Sequence, residues 1–356
     1  MIKSCYIHIP FCNHICSYCD FCKIEYHKCF IDKYLNALEK EIKSTYQGEE
    51  LDTIYIGGGT PSSLDLNELK RLFSILSVLK KSPNVEYTIE GNFESTTKEK
   101  LEYYKKVGIN RLSFGVESIN PNNLSFLNRH EDKKKIEEVL KDAREIGFPN
   151  INLDLMYALH TETIEVLEKD IDYLLSLQVE HISTYSLIIE DHTLLKINNV
   201  KNIDEEKDYE MYELICKKMK EHHYNHYEIS NFAKTGFESR HNQTYWKNEE
   251  YYGFGLGASS YLGNRRITNT RSLNKYLDGK YILEDIKLSD KEVIEYKIML
   301  NLRKADGISL DEIDLDVDDL IKDGLLIRYN HHLRIPEDKW YISNEIIIRV
   351  LEDYNG

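Results

Sequence analysis

No run of roughly 18 apolar residues occurs in the 356-residue sequence, which excludes a membrane-spanning helix. A basic excess is missing too. Lys and Arg total 46 against 61 Asp and Glu, a formal net charge of −15. Such a surface repels phosphate backbones, so nucleic acid is not an expected partner. The opening residues, Met1-Ile2-Lys3-Ser4-Cys5, lack an apolar signal core, and the turn at Pro10 leaves no room for a transit peptide. The expectation is a cytoplasmic protein. Internal repeats and low-complexity tracts are also lacking. The cysteines are not scattered: of seven, six lie between positions 5 and 29, and the last is Cys216. A secreted disulfide protein would be small and would spread its cysteines over the fold. One cluster at the head of a long chain reads as a metal site in a reducing compartment.

What is present is ordinary globular composition, 41% hydrophobic and 30% charged. Short β-branched runs alternate with amphipathic stretches. Strands are predicted at Cys5–Ile9, Thr53–Ile56, Glu86–Glu90, Arg111–Val116, Ile151–Met156 and His181–Leu187. The intervening helices are predicted near Ile31–Lys43, Asn67–Leu79, Lys98–Val107, Lys133–Ile146 and Thr163–Leu177. This is an α/β pattern with a parallel sheet, either an open curved barrel or a doubly wound sheet. Six strands are too few for a closed eight-stranded barrel. Gly58, Thr60, Glu90, Glu117 and Asp154 fall at or near the C-terminal ends of strands, the edge that carries sites in both architectures. Further on, 236–263 reads as aromatic- and Gly-rich loops and short strands. Helices near Lys291–Arg303 and Asp316–Lys322 and a hairpin over Leu325–Ile335, turning at Asn330, then suggest a small winged-helix-like unit. Its acidic charge argues against DNA.

Cys12, Cys16 and Cys19 form C-x3-C-x2-C. Three thiolates on one short loop can each hold one iron of a [4Fe–4S] cube and leave the fourth iron open to a small chelate. Zinc is the bland alternative. It usually takes a second, distant pair of cysteines, and none exists here. Gly57-Gly58-Gly59-Thr60-Pro61 comes directly after the second strand, where backbone N–H groups can approach a carboxylate.

On these motifs the chain resembles the radical S-adenosylmethionine superfamily. Within it, the stretch that opens with Tyr6-Ile7-His8-Ile9-Pro10-Phe11-Cys12 and runs to about Leu277 is similar to the coproporphyrinogen III oxidase-like group. The resemblance implies a partial (βα)6 barrel over 1–230, a connecting region over 231–285 and a smaller, mostly helical C-terminal domain over 286–356. It implies a cluster on Cys12, Cys16 and Cys19. It also implies S-adenosylmethionine binding by Tyr6, Tyr18, Gly58, Gly59, Thr60, Glu90, Glu117, Arg129 and Asp154. Three departures stand out. Ala158-Leu159-His160-Thr161-Glu162-Thr163 replaces Gly-Leu-Pro-Gly-Gln-Thr, Glu90-Gly91-Asn92-Phe93 replaces Glu-x-Asn-Pro, and Glu117 replaces Gln.

The group contains decarboxylating oxidases and haem chaperones of the HemW type. The oxidases carry a fourth cysteine as C-x-C and a longer N-terminal extension. Here Asp20 and Phe21 stand between Cys19 and Cys22, and eleven residues precede Cys12. His241-Asn242-Gln243-Thr244-Tyr245-Trp246 resembles the H-N-x-x-Y-W motif of HemW. The resemblance therefore implies a haem chaperone that takes haem as cargo through His241, Asn242, Tyr245 and Trp246. The cargo would pass to an acceptor protein, with a membrane as one place for the transfer. Arg240, Lys247, Arg265 and Arg266 are candidate partners for haem propionates. The alternatives are oxygen-independent oxidative decarboxylation of coproporphyrinogen III and radical chemistry on another tetrapyrrole. Cys22 and Cys29 are left without a role, no catalytic residue is assigned, and the oligomeric state is left open.

Overall fold

A crossover helix returns the chain to the edge it left, so alternating strands and helices stack into a parallel sheet. The computed structural model describes residues 1–311, 313, 315 and 317–355. Six parallel strands lie side by side in chain order: β1 (Ser4–Ile9), β2 (Glu50–Gly58), β3 (Lys80–Gly91), β4 (Arg111–Glu117), β5 (Asn150–Tyr157) and β6 (His181–Ser186). The linking helices are α1 (Lys28–Thr45), α2 (Leu66–Leu76), α3 (Lys98–Lys106), α4 (Pro121–Leu127), α5 (Lys133–Ile146) and α6 (Ile164–Ser176). The result is a partial (βα)6 barrel.

Local chemistry sets the helix bounds. Asp65 caps α2 by accepting from the N–H groups of Asn67 and Glu68 at 2.8 and 2.9 Å, and Glu68 returns the bond to the Asp65 N–H at 2.7 Å. Such a capping box is worth about 1 kcal/mol. The helix stops at Leu76, three residues before the predicted end. α5 has the predicted bounds because Asp132 caps its start and Gly147, at φ 93°, ends it.

Apart from one parallel strand, the flanks of the sheet are antiparallel. Beyond β6 lie β8 (Asn231–Ala233) and, at one end, β7 (Asn225–Glu228). Beyond β1 lies β9 (Tyr251–Phe254), parallel to it, then β10 (Ser259–Leu262), β11 (Arg265–Asn269) and β12 (Ile282–Lys287), all antiparallel. Two further helices, α7 (Glu205–Glu221) and α8 (Arg240–Trp246), precede β7 and β9 respectively. The large sheet thus has twelve strands.

The C-terminal region packs α9 (Asp290–Asn301), α10 (Asp318–Lys322) and α11 (Ser343–Asn355) with a small sheet of Ile308–Ser309, Ile327–Tyr329 and His332–Arg334. The hairpin turns at Asn330 and His331, both left-handed. Asp316, the predicted start of the second helix, lies outside the described residues. The Ile229 N–H donates to the Arg303 carbonyl, and the Ala305 N–H to that of Tyr227, each at 3.0 Å, which joins this region to β7. Among the described residues no helix is long and apolar enough to cross a membrane.

Candidate functional site

β1 ends at Ile9, and the chain turns through Pro10 into a two-residue strand, Phe11–Cys12, paired with Ile24–Glu25. The N–H groups of Ile24 and Tyr26 donate to the Pro10 and Cys12 carbonyls at 2.7 and 2.8 Å. These bonds close the cysteine loop at its base. Its tip is tied to α4, where the Ser17 hydroxyl donates to the Phe126 carbonyl at 2.7 Å and Asn128 Nδ2 to that of Ile15 at 2.8 Å.

The three thiols line one cavity. Thr60 Oγ1 donates to Cys12 Sγ, and Arg129 Nη1 to Cys16 Sγ, each at 3.6 Å. Donors to sulfur stabilise thiolates and tune a cluster's potential. Burial pushes the Cys12 thiol up to about 11, so its proton leaves as metal arrives. Among the described residues no three His, Cys, Asp or Glu side chains converge on a single-ion site. Three thiols on one loop, lining one cavity, fit a cube, whose irons are bound one each.

The turn after β2 lines the same cavity, against the cysteine loop. Gly58 sits at φ 114°, and its N–H donates to Glu90 Oε2 at 2.9 Å. A Cβ on Gly59 would stand 2.7 Å from the Pro10 carbonyl carbon and 2.9 Å from Cys12 Sγ. The close approach of turn and cysteine loop therefore requires glycine there. Glu90 also accepts from the Tyr55 hydroxyl at 2.7 Å, and burial holds its carboxyl up at about 7.

Glu117 ends β4 in the left-handed region, at φ 63°. Its Oε1 lies 3.6 Å from Arg129 Nη1, while Arg129 Nη2 donates to Glu131 Oε1 at 2.8 Å and to the Gly115 carbonyl at 2.7 Å. Burial raises Glu117 against the pull of Arg129 and lifts Glu131 to about 7. Asp154, also raised by burial, accepts from Asn152 Nδ2 at 2.8 Å. Tyr18, Glu90, Glu117, Glu131 and Asp154 thus share this cavity with Arg129. The excess of carboxyls suits a cationic ligand.

Of the predicted residues, Tyr6 is placed elsewhere. Its ring stacks on Tyr55, with centroids 6.1 Å apart, and its hydroxyl meets His8 Nδ1 at 3.0 Å. It lines a second cavity, of about 500 Å3, which shares Phe21, Gly58 and Glu90 with the first. That size lies within the range of about 300–1,000 Å3 usual for small-molecule sites. His241, Asn242 and Tyr245 line it too, whereas Trp246 lines neither cavity. His241 is 1% exposed, with Nδ1 at 2.8 Å from Thr53 Oγ1 and Nε2 at 2.7 Å from the Tyr245 hydroxyl. Burial holds its imidazole neutral, at about 3.

The four candidate propionate partners do not meet in this cavity. Arg240 bonds the Asn84 carbonyl at 2.6 Å, Arg265 pairs with Asp285 at 2.8 Å, and Arg266 stacks on Tyr261 and Tyr296. Lys247 lines a separate polar groove with Arg240.

Sequence reasoning missed Tyr55, His8 and Glu131. Strand alternation puts Tyr6 and His8 on one face of β1 and Ile7 and Ile9 on the other, but the partners come from distant segments.

The departure at 158–163 follows β5, and none of its residues lines either cavity. Ala158 takes φ 60°, a conformation in which the group's glycine would be unstrained. Glu162 is 1% exposed; it accepts from Asn123 Nδ2 at 2.9 Å and from the Leu159 N–H at 3.3 Å. Burial lifts it to about 8. A carboxyl raised on folding contributes full stability below its unfolded pKa, near 4.3, and loses it as pH rises toward 8. Glu162→Gln removes that loss. Thermal unfolding should show the variant gaining on the parent between pH 5 and 8, by on the order of 3 kcal/mol. A difference independent of pH would contradict the assignment.

A model of the radical SAM superfamily matches residues 6–174. The chain is 44% identical to "Heme chaperone HemW" of Bacillus subtilis, over 86% of this chain and 85% of that one. It is 36% identical to the protein of the same name in Lactococcus lactis, over 99% and 98%, and 30% identical to that of Escherichia coli, over 97% of each. Among solved structures, coproporphyrinogen III oxidase (HemN) from Escherichia coli superposes with a TM-score of 0.87 at 23% identity, over 99% of this chain and 90% of that one, a likeness of fold. The chain belongs to the HemW family of the radical SAM superfamily.

Proposed function

We propose that the protein is a haem chaperone: it binds haem beside a [4Fe–4S] cluster and S-adenosylmethionine, and delivers the haem to an acceptor protein. Cys12, Cys16 and Cys19 hold the cluster. When bound, the cluster supplies a one-electron reductant and an open iron for the amino and carboxylate groups of S-adenosylmethionine. Around that ligand, Gly58, Gly59 and Thr60 form the close wall, with Tyr18 nearby. Glu90 and Glu117 face its cationic groups, Arg129 positions Glu117, and Asp154 takes the ribose hydroxyls.

The observation that carries the haem reading is the second cavity. It is large enough for a planar ligand, ringed by Tyr6, Tyr55 and Tyr245, and shares a wall with the thiol cavity. Aromatic faces favour stacking on a porphyrin. The segment that resembles H-N-x-x-Y-W forms part of this wall, with Asn242 and Tyr245 facing the ligand and His241 holding Tyr245.

Cluster-loaded protein supplied with reductant, S-adenosylmethionine and coproporphyrinogen III tests the reading. A chaperone leaves the propionates intact and releases no 5′-deoxyadenosine in response to that substrate. Decarboxylated product, with matching 5′-deoxyadenosine, would make the protein an oxidase instead.

A further inference from the structure

We propose that Cys22 supplies the axial ligand to the iron of bound haem in the second cavity, and that Arg271, at its mouth, pairs with a propionate. This rests on the proposed haem binding.

Few of the ligating atoms in this cavity are free. Its two imidazoles are both committed. His241 is bonded through Nδ1 to Thr53 and through Nε2 to Tyr245. His8 is bonded through Nδ1 to Tyr6 at 3.0 Å and through Nε2 to the Cys22 carbonyl at 2.6 Å. Turning either ring toward iron would strand a buried partner without its hydrogen bond. The hydroxyls of Tyr6, Tyr55 and Tyr245 are engaged in the same network. The Tyr185 and Tyr251 phenols, like any phenol of pKa about 10, stay protonated near neutral pH, whereas an iron would need the tyrosinate.

Cys22 differs from all of these. It lines the cavity at 9% exposure, and its thiol meets Arg271 through the carbonyl, at 3.9 Å, and through the guanidinium. Arg271 is exposed, so coordinating iron would strand no buried partner. Thiolate is also a proven type of haem ligand. The main chain fixes the residue: Gly257, at φ 72°, packs against it so closely that a Cβ there would stand 2.6 Å from Cys22 Cβ.

Arg271 is the second feature. It lines the same cavity, is exposed, and donates through Nη2 to the Asp20 carbonyl. It combines proximity to the thiol with a guanidinium able to bond a carboxylate. Its charge opposes the rise that burial imposes on the Cys22 thiol. On ligation the thiol proton leaves to solvent, the iron–sulfur bond forms, and no electron is transferred. The exposed thiol of Cys29 does not line this cavity.

The test uses the full chain with its cluster reconstituted, titrated with haem, then reduced under carbon monoxide and read as a difference spectrum. The parent and Cys29→Ser should show the red-shifted Soret band of thiolate-ligated haem. Cys22→Ala and Cys22→Ser should lose that band and bind haem at least tenfold more weakly, with cluster content unchanged. A Cys22→Ala spectrum identical to the parent's overturns the assignment, as does an imidazole-type spectrum abolished by His241→Ala; both leave the haem reading standing. Absence of saturable haem uptake by the parent overturns the haem reading and this ligand with it.

Discussion

Cys16→Ala should abolish cluster assembly, dropping iron and acid-labile sulfide from about four of each per chain to near zero. The motif holds three thiolates and has no spare in the loop positioned to replace Cys16. Cys22 belongs to the neighbouring cavity and Cys29 to neither. Cys16 is partly exposed, so the change leaves little void, and the fold should persist. S-adenosylmethionine affinity should fall with the cluster, because the chelated iron goes with it. Unchanged iron content, measured beside circular dichroism, would place the cluster on other residues.

Gly59→Ala should be the most damaging single-methyl change in the site. The added Cβ meets main chain on one side, the Pro10 carbonyl at 2.7 Å, and the Cys12 sulfur on the other, at 2.9 Å. Neither can swing aside, so the turn must move away from the cysteine loop. Overpacking of this kind costs about 1–3 kcal/mol, and the shift should cut cluster yield several-fold. Gly57→Ala is the control. Its Cβ would meet the Glu90 carboxylate at 2.7–2.9 Å, the end of a side chain that can turn. It should leave cluster yield near the parent's and weaken ligand binding by displacing Glu90. Equal cluster yields for Gly57→Ala and Gly59→Ala would show that the close approach to Cys12 does not matter.

Much of the fold could be read from the chain. The six parallel strands each hold a largely buried stretch bounded by turn residues, rich in β-branched and aromatic side chains, the strongest local patterns available. α5 has its predicted limits because both caps lie next to it in sequence. The flanking strands were harder. β9 and β10 have four residues each, and β12 is exposed throughout, so hydrophobicity carries little signal there. β9 joins β1 through a contact some 245 residues away in sequence, which no local pattern encodes.

The site divides along the same line. Cys12, Cys16 and Cys19 share a loop, and Gly58 to Thr60 share a turn, so their juxtaposition comes from two short motifs. The setting of His241 does not. Its neighbours Thr53 and Tyr55 lie in β2, and its amide is held by Glu86 in β3 at 2.9 Å. A histidine beside an aromatic pair reads as a free ligand in sequence, whereas the fold spends both nitrogens on hydrogen bonds. Tyr6 shows the smaller version of this problem. Alternation along β1 sets its face, and only the packing of α8 against β2 settles which cavity it lines.

The proposed function places haem in one defined site beside the cluster. An anaerobic equilibrium titration of the cluster-loaded full chain with haem, monitored by absorption, tests that most directly. Saturation at about one haem per chain is the expected result for a built cavity. Uptake that rises without saturation, as haem adheres to exposed apolar surface, would contradict it.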